Sequence, residues 1–335
     1  MNWLIELFKI EKNPKKGLAG FEWAVLVYTL LTLVYIFFTY TRLHSPGALV
    51  EGRLRIVAIT LGLWLVYRLV PCRLTMLARV GVQLALLAWW YPDTYELNRV
   101  LPNQDHLFAA WEQRLFGFQP ALLFSLAMPQ AWFSELMALG YASYYPLIVA
   151  VLLYYFGWRY EQLERASFVL LGSFFAYYVV FDLLPVAGPQ FYYAAIGVRE
   201  AARGVFPSVG DYFATHCDVL QTPGWQDGMF YKLVSCAHDA GERPTAAFPS
   251  SHVGITVIIL LLAWKAKSKR QWLFWITVPL FVLMCLATVY IQAHYVIDAV
   301  AGLLTGVLFY FLFDWMAVAW HMELQPNNKK RKARK

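Results

Sequence analysis

The chain is dominated by recurrent apolar runs close to twenty residues long, and this limits its fold more than any other feature. The run 272–291, WLFWITVPLFVLMCLATVYI, carries no charged residue. As a helix it would be about 30 Å long, the thickness of a bilayer's hydrocarbon core. Eight such spans can be read, at approximately 21–41, 54–70, 74–91, 136–156, 166–185, 250–264, 272–291 and 295–313. The second, third and sixth are short or carry an Arg near one end. The first is too long for a signal-peptide core and lacks a small-residue cleavage site after it, so it reads as an anchor. Composition agrees with this reading. Hydrophobic residues make up 60% of the 335 and charged residues 15%, against about 45–50% and about 25% in soluble domains. An ordinary cytosolic enzyme, a disordered protein and a nucleic-acid reader are thereby excluded. The 59 Phe, Trp and Tyr residues suit a protein with two membrane interfaces to line.

Net charge is +7, and its distribution sets an orientation. With the N-terminus cytoplasmic, inner segments and span ends hold nineteen of the 28 Lys and Arg residues. These include Lys9, Lys12, Lys15 and Lys16, then Arg68, Arg73 and Arg79, then Arg159 and Arg165. Lys265, Lys267, Lys269 and Arg270 follow, and then the tail Lys329–Lys335. The positive-inside rule therefore predicts both termini inside and segments 92–135 and 186–249 outside. The absence of a cleaved targeting segment and the few outer-loop insertions point to a bacterial inner membrane. The expected organisation is an N-terminal segment with two accessory spans over 1–73, a membrane domain over 74–313 and a basic tail over 314–335. The tail is expected to anchor the last helix and attract anionic lipid. Segment 105–130 is apolar but broken by Gly117 and Pro120, which predicts an interfacial or re-entrant helical piece. Cys217 and Cys236 share the outer loop 186–249, and spacing leaves a disulfide between them open.

Two polar spots interrupt the apolar pattern at one membrane face. Phe248-Pro249-Ser250-Ser251-His252-Val253-Gly254 leads from an outer loop into a span, and His294-Tyr295-Val296-Ile297-Asp298 leads from the next outer turn into the last span. His294 and Asp298 are four residues apart and share a helix face. A carboxylate there would take the proton of one imidazole nitrogen and leave the other as a nucleophile. Ser250 and Ser251 suit a helix N-cap, whose free N–H groups attract phosphate. His252 would move protons from the first turn. Arg243, nine residues before His252, is the best candidate for gripping phosphate, with Lys232 second. Asp211, His216, Asp218, His238 and Asp239 share the outer loop but lack tight metal-ligand spacing. Glu135 and Asp182 lie near outer span ends and read as interface markers, with a polyol headgroup contact as the alternative. Tyr141, Tyr144, Tyr145, Tyr177, Tyr178, Tyr192 and Tyr193 read as an interfacial belt.

These residues carry a resemblance. FPSSHVG and His294-x-x-x-Asp298 are similar to the second and third motifs of the type 2 phosphatidic acid phosphatase superfamily, over roughly 74–313. The resemblance implies a polytopic all-α membrane bundle with a six-helix catalytic core and no metal or other cofactor. By it, His252 is the general acid, His294 the nucleophile and Asp298 its support. Two departures matter. Ala287 and Thr288 stand where phosphatases of the family carry Ser-Arg, and the K-x6-R-P motif is absent, its nearest match being Lys232 with Arg243-Pro244. Together with 105–120 and Leu184–Pro189, these departures resemble the inositol phosphorylceramide synthase branch. That branch implies a phospholipid donor, a ceramide-like acceptor and a phosphohistidine intermediate. A lipid phosphate or polyprenyl diphosphate phosphatase is the alternative. A non-enzymatic lipid transporter or binding protein is a third reading, to be marked by charged residues deep in several spans and helices broken at mid-membrane. The sequence leaves the oligomeric state open.

Overall fold

The computed structural model describes residues 2–266 and 271–324. Lys267, Lys269, Arg270 and the tail Lys329–Lys335 lie outside the described residues, as does the side chain of Asp239. The described residues contain helices and no β-strand. The principal elements are α1 (Gly20–Thr39), α2 (Pro46–Leu69) and α3 (Arg73–Asn98, interrupted at Leu86). Next come α4 (Asp105–Phe116), α5 (Pro120–Ala127), α6 (Ala131–Ala142) and α7 (Tyr144–Trp158). They are followed by α8 (Leu163–Leu183), α9 (Pro189–Ile196) and α10 (Met229–Gly241), and then by α11 (Ser251–Lys265), α12 (Trp272–Tyr290) and α13 (Val296–Ala319).

Every expected span falls on a helix, but the count changes. α1, α3, α12, α13 and the stretch Tyr160–Leu183 that contains α8 are long and apolar enough to cross a membrane. α6 and α7 make a sixth crossing if taken together, bent by 45°. α11 is apolar but only 15 residues long, and α2 has 24 residues but carries Glu51, Arg53, Arg55 and Arg68. Among the described residues the expectation of eight spans thus becomes six by length and composition, with α2 and α11 making up the difference, or five if the bent α6–α7 pair is also set aside. Segment 105–130 forms the two short helices α4 and α5, neither of spanning length. The protein is a polytopic integral-membrane helical bundle. Leu304, Leu308, Phe311 and Trp315 of α13 are exposed at helical spacing and form a lipid-facing stripe.

Two ion pairs are buried between spans. Arg79 of α3 bonds Glu22 of α1 (2.7 Å), and Arg53 of α2 bonds Asp93 of α3 (2.9 Å). All four side chains are buried. Ionisable groups at this depth persist only with partners, so these pairs fix α1 and α2 against α3. Cys217 and Cys236 are both free thiols.

α11 and α13 cross at glycines. A Cβ on Gly302 would stand 2.3 Å from the Ser250 carbonyl oxygen, and one on Gly306 would stand 2.6 Å from that of Gly254. The neighbouring atoms are backbone and cannot swing aside. This is the small-residue contact that lets membrane helices approach backbone to backbone. Gly302→Leu should therefore force the pair apart and cost about 3 kcal/mol or more. Gly62→Ala, on α2 with nothing within 4 Å of the added carbon, should be neutral or mildly stabilising. Thermal unfolding in nanodiscs compares the two, and equal behaviour would remove the crossing's importance.

Candidate active site

The site forms where the loops leading into α11 and α13 meet. Ser250 caps α11, its side chain accepting from Val253 N at 3.4 Å. The N–H groups of Ser251 and His252 belong to the first turn and have no intrahelical acceptor. Ser250 N in turn donates to the Asp298 carbonyl at 3.0 Å, so the starts of the two helices are joined through backbone. Ala246 and Gln292 have φ of +66° and +65°, a region residues with a Cβ seldom occupy. Each lies within two residues of the central contact of the site: His294 Nδ1 is 2.8 Å from the Ala247 carbonyl oxygen.

That contact revises the expected His–Asp pairing. A carbonyl only accepts, so Nδ1 carries the proton and Nε2 keeps its lone pair. Asp298 Oδ2 stands 3.7 Å from Nδ1, too far to hold the tautomer. It accepts instead from Tyr295 N at 2.8 Å and closes the first turn of α13. Asp298 remains the nearest carboxylate to the ring and is placed to stabilise positive charge on it.

His252 packs between aromatic rings. Its centroid lies 4.6 Å from Tyr141, 4.3 Å from Tyr144 and 5.7 Å from His294, and its Nδ1 is buried with no hydrogen-bond partner. The two histidines line one narrow pocket with Tyr141, Glu242, Arg243 and Ser251. Arg243 is exposed at this pocket. Lys232 is exposed on α10 and does not line it.

Other expectations change. Tyr141 and Tyr144 hold His252, and Tyr177, Tyr178, Tyr192 and Tyr193 are buried; of the seven tyrosines read as a belt, Tyr145 alone is exposed. Glu135 accepts from Phe230 N and Tyr231 N at the start of α10, and Asp182 accepts from Tyr28 at 2.9 Å. Both are therefore structural, and neither lines the pocket. The loop's polar residues are dispersed: His216 stacks on Tyr212, Asp218 accepts from the Tyr212 hydroxyl, and His238 faces Glu242.

Sequence reasoning missed two supporting carboxylates. Buried Asp105 accepts from Ala187 N, Gly188 N, Asn103 and Tyr295, which pins the loop before α9 and the residue after His294. Glu112 accepts from Val296 N at 2.5 Å and holds the start of α13. Burial pushes the Glu112 carboxyl up to about 8, against the opposing pull of that hydrogen bond. Burial also draws the His294 imidazole down to about 4, opposed by the Ala247 contact and the Glu242 carboxylate. A group so shifted is neutral near pH 7. Ala247 acts through its carbonyl, which leaves no mark in a sequence; Glu242, beside Arg243, was the one supporting residue within reach of motif reasoning.

A family model described as PAP2 superfamily matches residues 106–312. No curated protein and no solved structure matches the chain.

The His294 shift has a definite sign for stability. Its folded pKa, about 4, lies below the ordinary 6.5, so between these values the unfolded chain binds the additional proton. The stability linked to neutral His294 is present in full above about 6.5 and is lost as pH falls toward 4. Melting temperatures in nanodiscs between pH 7.5 and 4 should fall more steeply for wild type than for His294→Gln. Equal slopes would contradict a buried neutral imidazole.

Proposed function

This chain belongs to the PAP2 superfamily, and from that premise we propose that it is a membrane lipid phosphotransferase. It moves a phospho-headgroup, phosphoinositol by our reading, from a glycerophospholipid to a ceramide-like lipid. The supporting observation is the make-up of the pocket: two histidine rings 5.7 Å apart, with Arg243 and Glu242 as the charged residues among those lining it. A lone cation offset by a carboxylate suits a phosphodiester monoanion. A monoester dianion needs more positive charge, because the Coulomb attraction scales with charge. The Arg of family phosphatases is replaced here by Thr288, which is buried and donates to the Cys285 carbonyl.

In the first step His294 Nε2 bonds to phosphorus as the bond to the diacylglycerol oxygen breaks, and His252, which takes up a proton from solvent when the phosphodiester anion binds beside it, gives that oxygen the proton. The ring becomes cationic, held by the Ala247 carbonyl and faced by Asp298. In the second step the acceptor's primary hydroxyl attacks phosphorus, its proton passes to His252, and the P–N bond breaks to return neutral His294. Ser251 and His252 N–H groups, with Arg243, stabilise the phosphoryl oxygens. The catalytic unit in this reading is 74–313. Both termini lie in the cytoplasm and the pocket faces the outer side of a bacterial inner membrane.

The phosphatase reading replaces the lipid hydroxyl with water and has the breadth of the family behind it. Purified protein given phosphatidylinositol should form a ceramide phosphoinositol only when ceramide is added, with ping-pong kinetics. Rapid release of phosphate from phosphatidic acid, with indifference to ceramide, would overturn the transferase reading.

His294→Ala should abolish turnover. Asp298→Asn should retain the Ala247-held tautomer and lose only about 10–100-fold, through weaker stabilisation of the cationic ring. Equal loss in both variants would return tautomer control to Asp298.

Cysteines at Gly17 and Gln226 should react with membrane-impermeant thiol reagents from the cytoplasmic and outer sides respectively. Labelling of both from one side would break the orientation.

A further inference from the structure

The pocket holds two oxygen acceptors that nothing in the described protein satisfies. Gln190 lines it and is 3% exposed, yet its amide oxygen is buried with no donor. The side chain starts from a fixed point. Gln190 N donates to the Gln292 carbonyl at 3.0 Å, two residues before His294, and Leu220 N donates to the Gln190 carbonyl at 2.9 Å. Glu242 is the second. Its Oε2 is buried and stands 3.3 Å from His238 Nδ1, without the alignment of a hydrogen bond. Buried acceptors left unpaired are costly and uncommon, and they call for a donor from elsewhere.

The chemistry of that donor is constrained. Both oxygens repel a phosphate, so they do not serve the phosphoryl group, which Arg243 and the start of α11 receive. An aromatic wall of Tyr91, Tyr141 and Phe191 with a carboxylate would tolerate a quaternary ammonium, but such a group cannot donate to Gln190; a primary ammonium could donate to both acceptors but would share the pocket with the Arg243 guanidinium, which repels it. Neutral hydroxyls satisfy both acceptors. Gln190, in the first turn of α9, is tied to Gln292, and Glu242 lies on the loop that carries Ala247, so both acceptors stand beside the contacts that set His294 and these hydroxyls belong to the headgroup attached to the reacting phosphorus.

Resting on the transferase reading above, we infer that Gln190 and Glu242 are specificity residues that bind the hydroxyl groups of a polyol headgroup on the donor lipid. Sites built to hydrogen-bond a hydroxyl reject analogues that lack it, because the buried partners are then left unpaired.

The test uses the full-length protein in nanodiscs and donors with identical acyl chains carrying inositol, glycerol, ethanolamine or choline. Two quantities are read: phosphohistidine formation on His294 and headgroup transfer to ceramide. Inositol should lead glycerol, and both should lead ethanolamine and choline. Gln190→Met and Glu242→Gln should each lower kcat/KM for the inositol donor about tenfold or more, mainly through KM, and compress its lead over choline. Thermal shift with myo-inositol 1-phosphate gives a second readout, present in wild type and weakened in both variants; their melting temperatures without ligand confirm folding. Equal reaction with all four headgroups, or an unchanged inositol-to-choline ratio in the variants, overturns this inference and leaves the transferase standing. Preference for choline or ethanolamine assigns the pocket to a cation and overturns it as well. Absence of phosphohistidine with every donor overturns both readings together.

Discussion

The close crossing of α11 and α13 is the constraint on which the site depends. In lipid no hydrophobic force drives one helix onto another, so association rests on packing and polar contacts. Gly254, Gly302 and Gly306 remove the side chains that would hold the backbones apart. Ser250 and Asp298 then join the helix starts through a backbone hydrogen bond of 3.0 Å. His252 is the second residue of α11, and His294 lies two residues before α13. Their 5.7 Å ring separation follows from this crossing. A side chain inserted lower in the crossing would open the site without touching either imidazole.

Around the crossing, buried carboxylates act mainly as acceptors for backbone N–H groups. Asp105 holds residues 187 and 188, Glu112 holds Val296, and Asp298 holds Tyr295. Acceptors of this kind compensate a helix start and the turn beside it, where N–H groups lack intrahelical partners. The tautomer of His294 is left to a backbone carbonyl, which cannot ionise. His294 is thus oriented by an acceptor that is insensitive to pH, while burial keeps its ring neutral.

Charge is handled differently in the two halves of the molecule. Between the spans, Arg79 with Glu22 and Arg53 with Asp93 form buried ion pairs that fix helices. In the pocket, Arg243 is exposed and Glu242 is not satisfied by its neighbour. The ion pairs of the spans thus serve packing, while Arg243 and Glu242 line the site.

Hydropathy alone determined the helical membrane class, because apolar runs of spanning length have one stable form in a bilayer when they are continuous. The motifs FPSSHVG and HYVID each lie at a helix start, as the local pattern announces. The sequence could not settle the number of crossings. α2 is long but charged, and its Arg53 is accommodated only because Asp93 of another helix meets it. Nor could it assign the tyrosines, because Tyr141 and Tyr145 differ in burial and not in residue type. The pairing of His294 was decided by tertiary structure for a physical reason. The turn into α13 brought Asp298 within 3.7 Å, but the loop carrying Ala247, forty-seven residues earlier, brought a carbonyl nearer. Backbone acceptors have no sequence signature, and Asp105 and Glu112 become hooks only once the chain has folded them onto the N–H groups they serve.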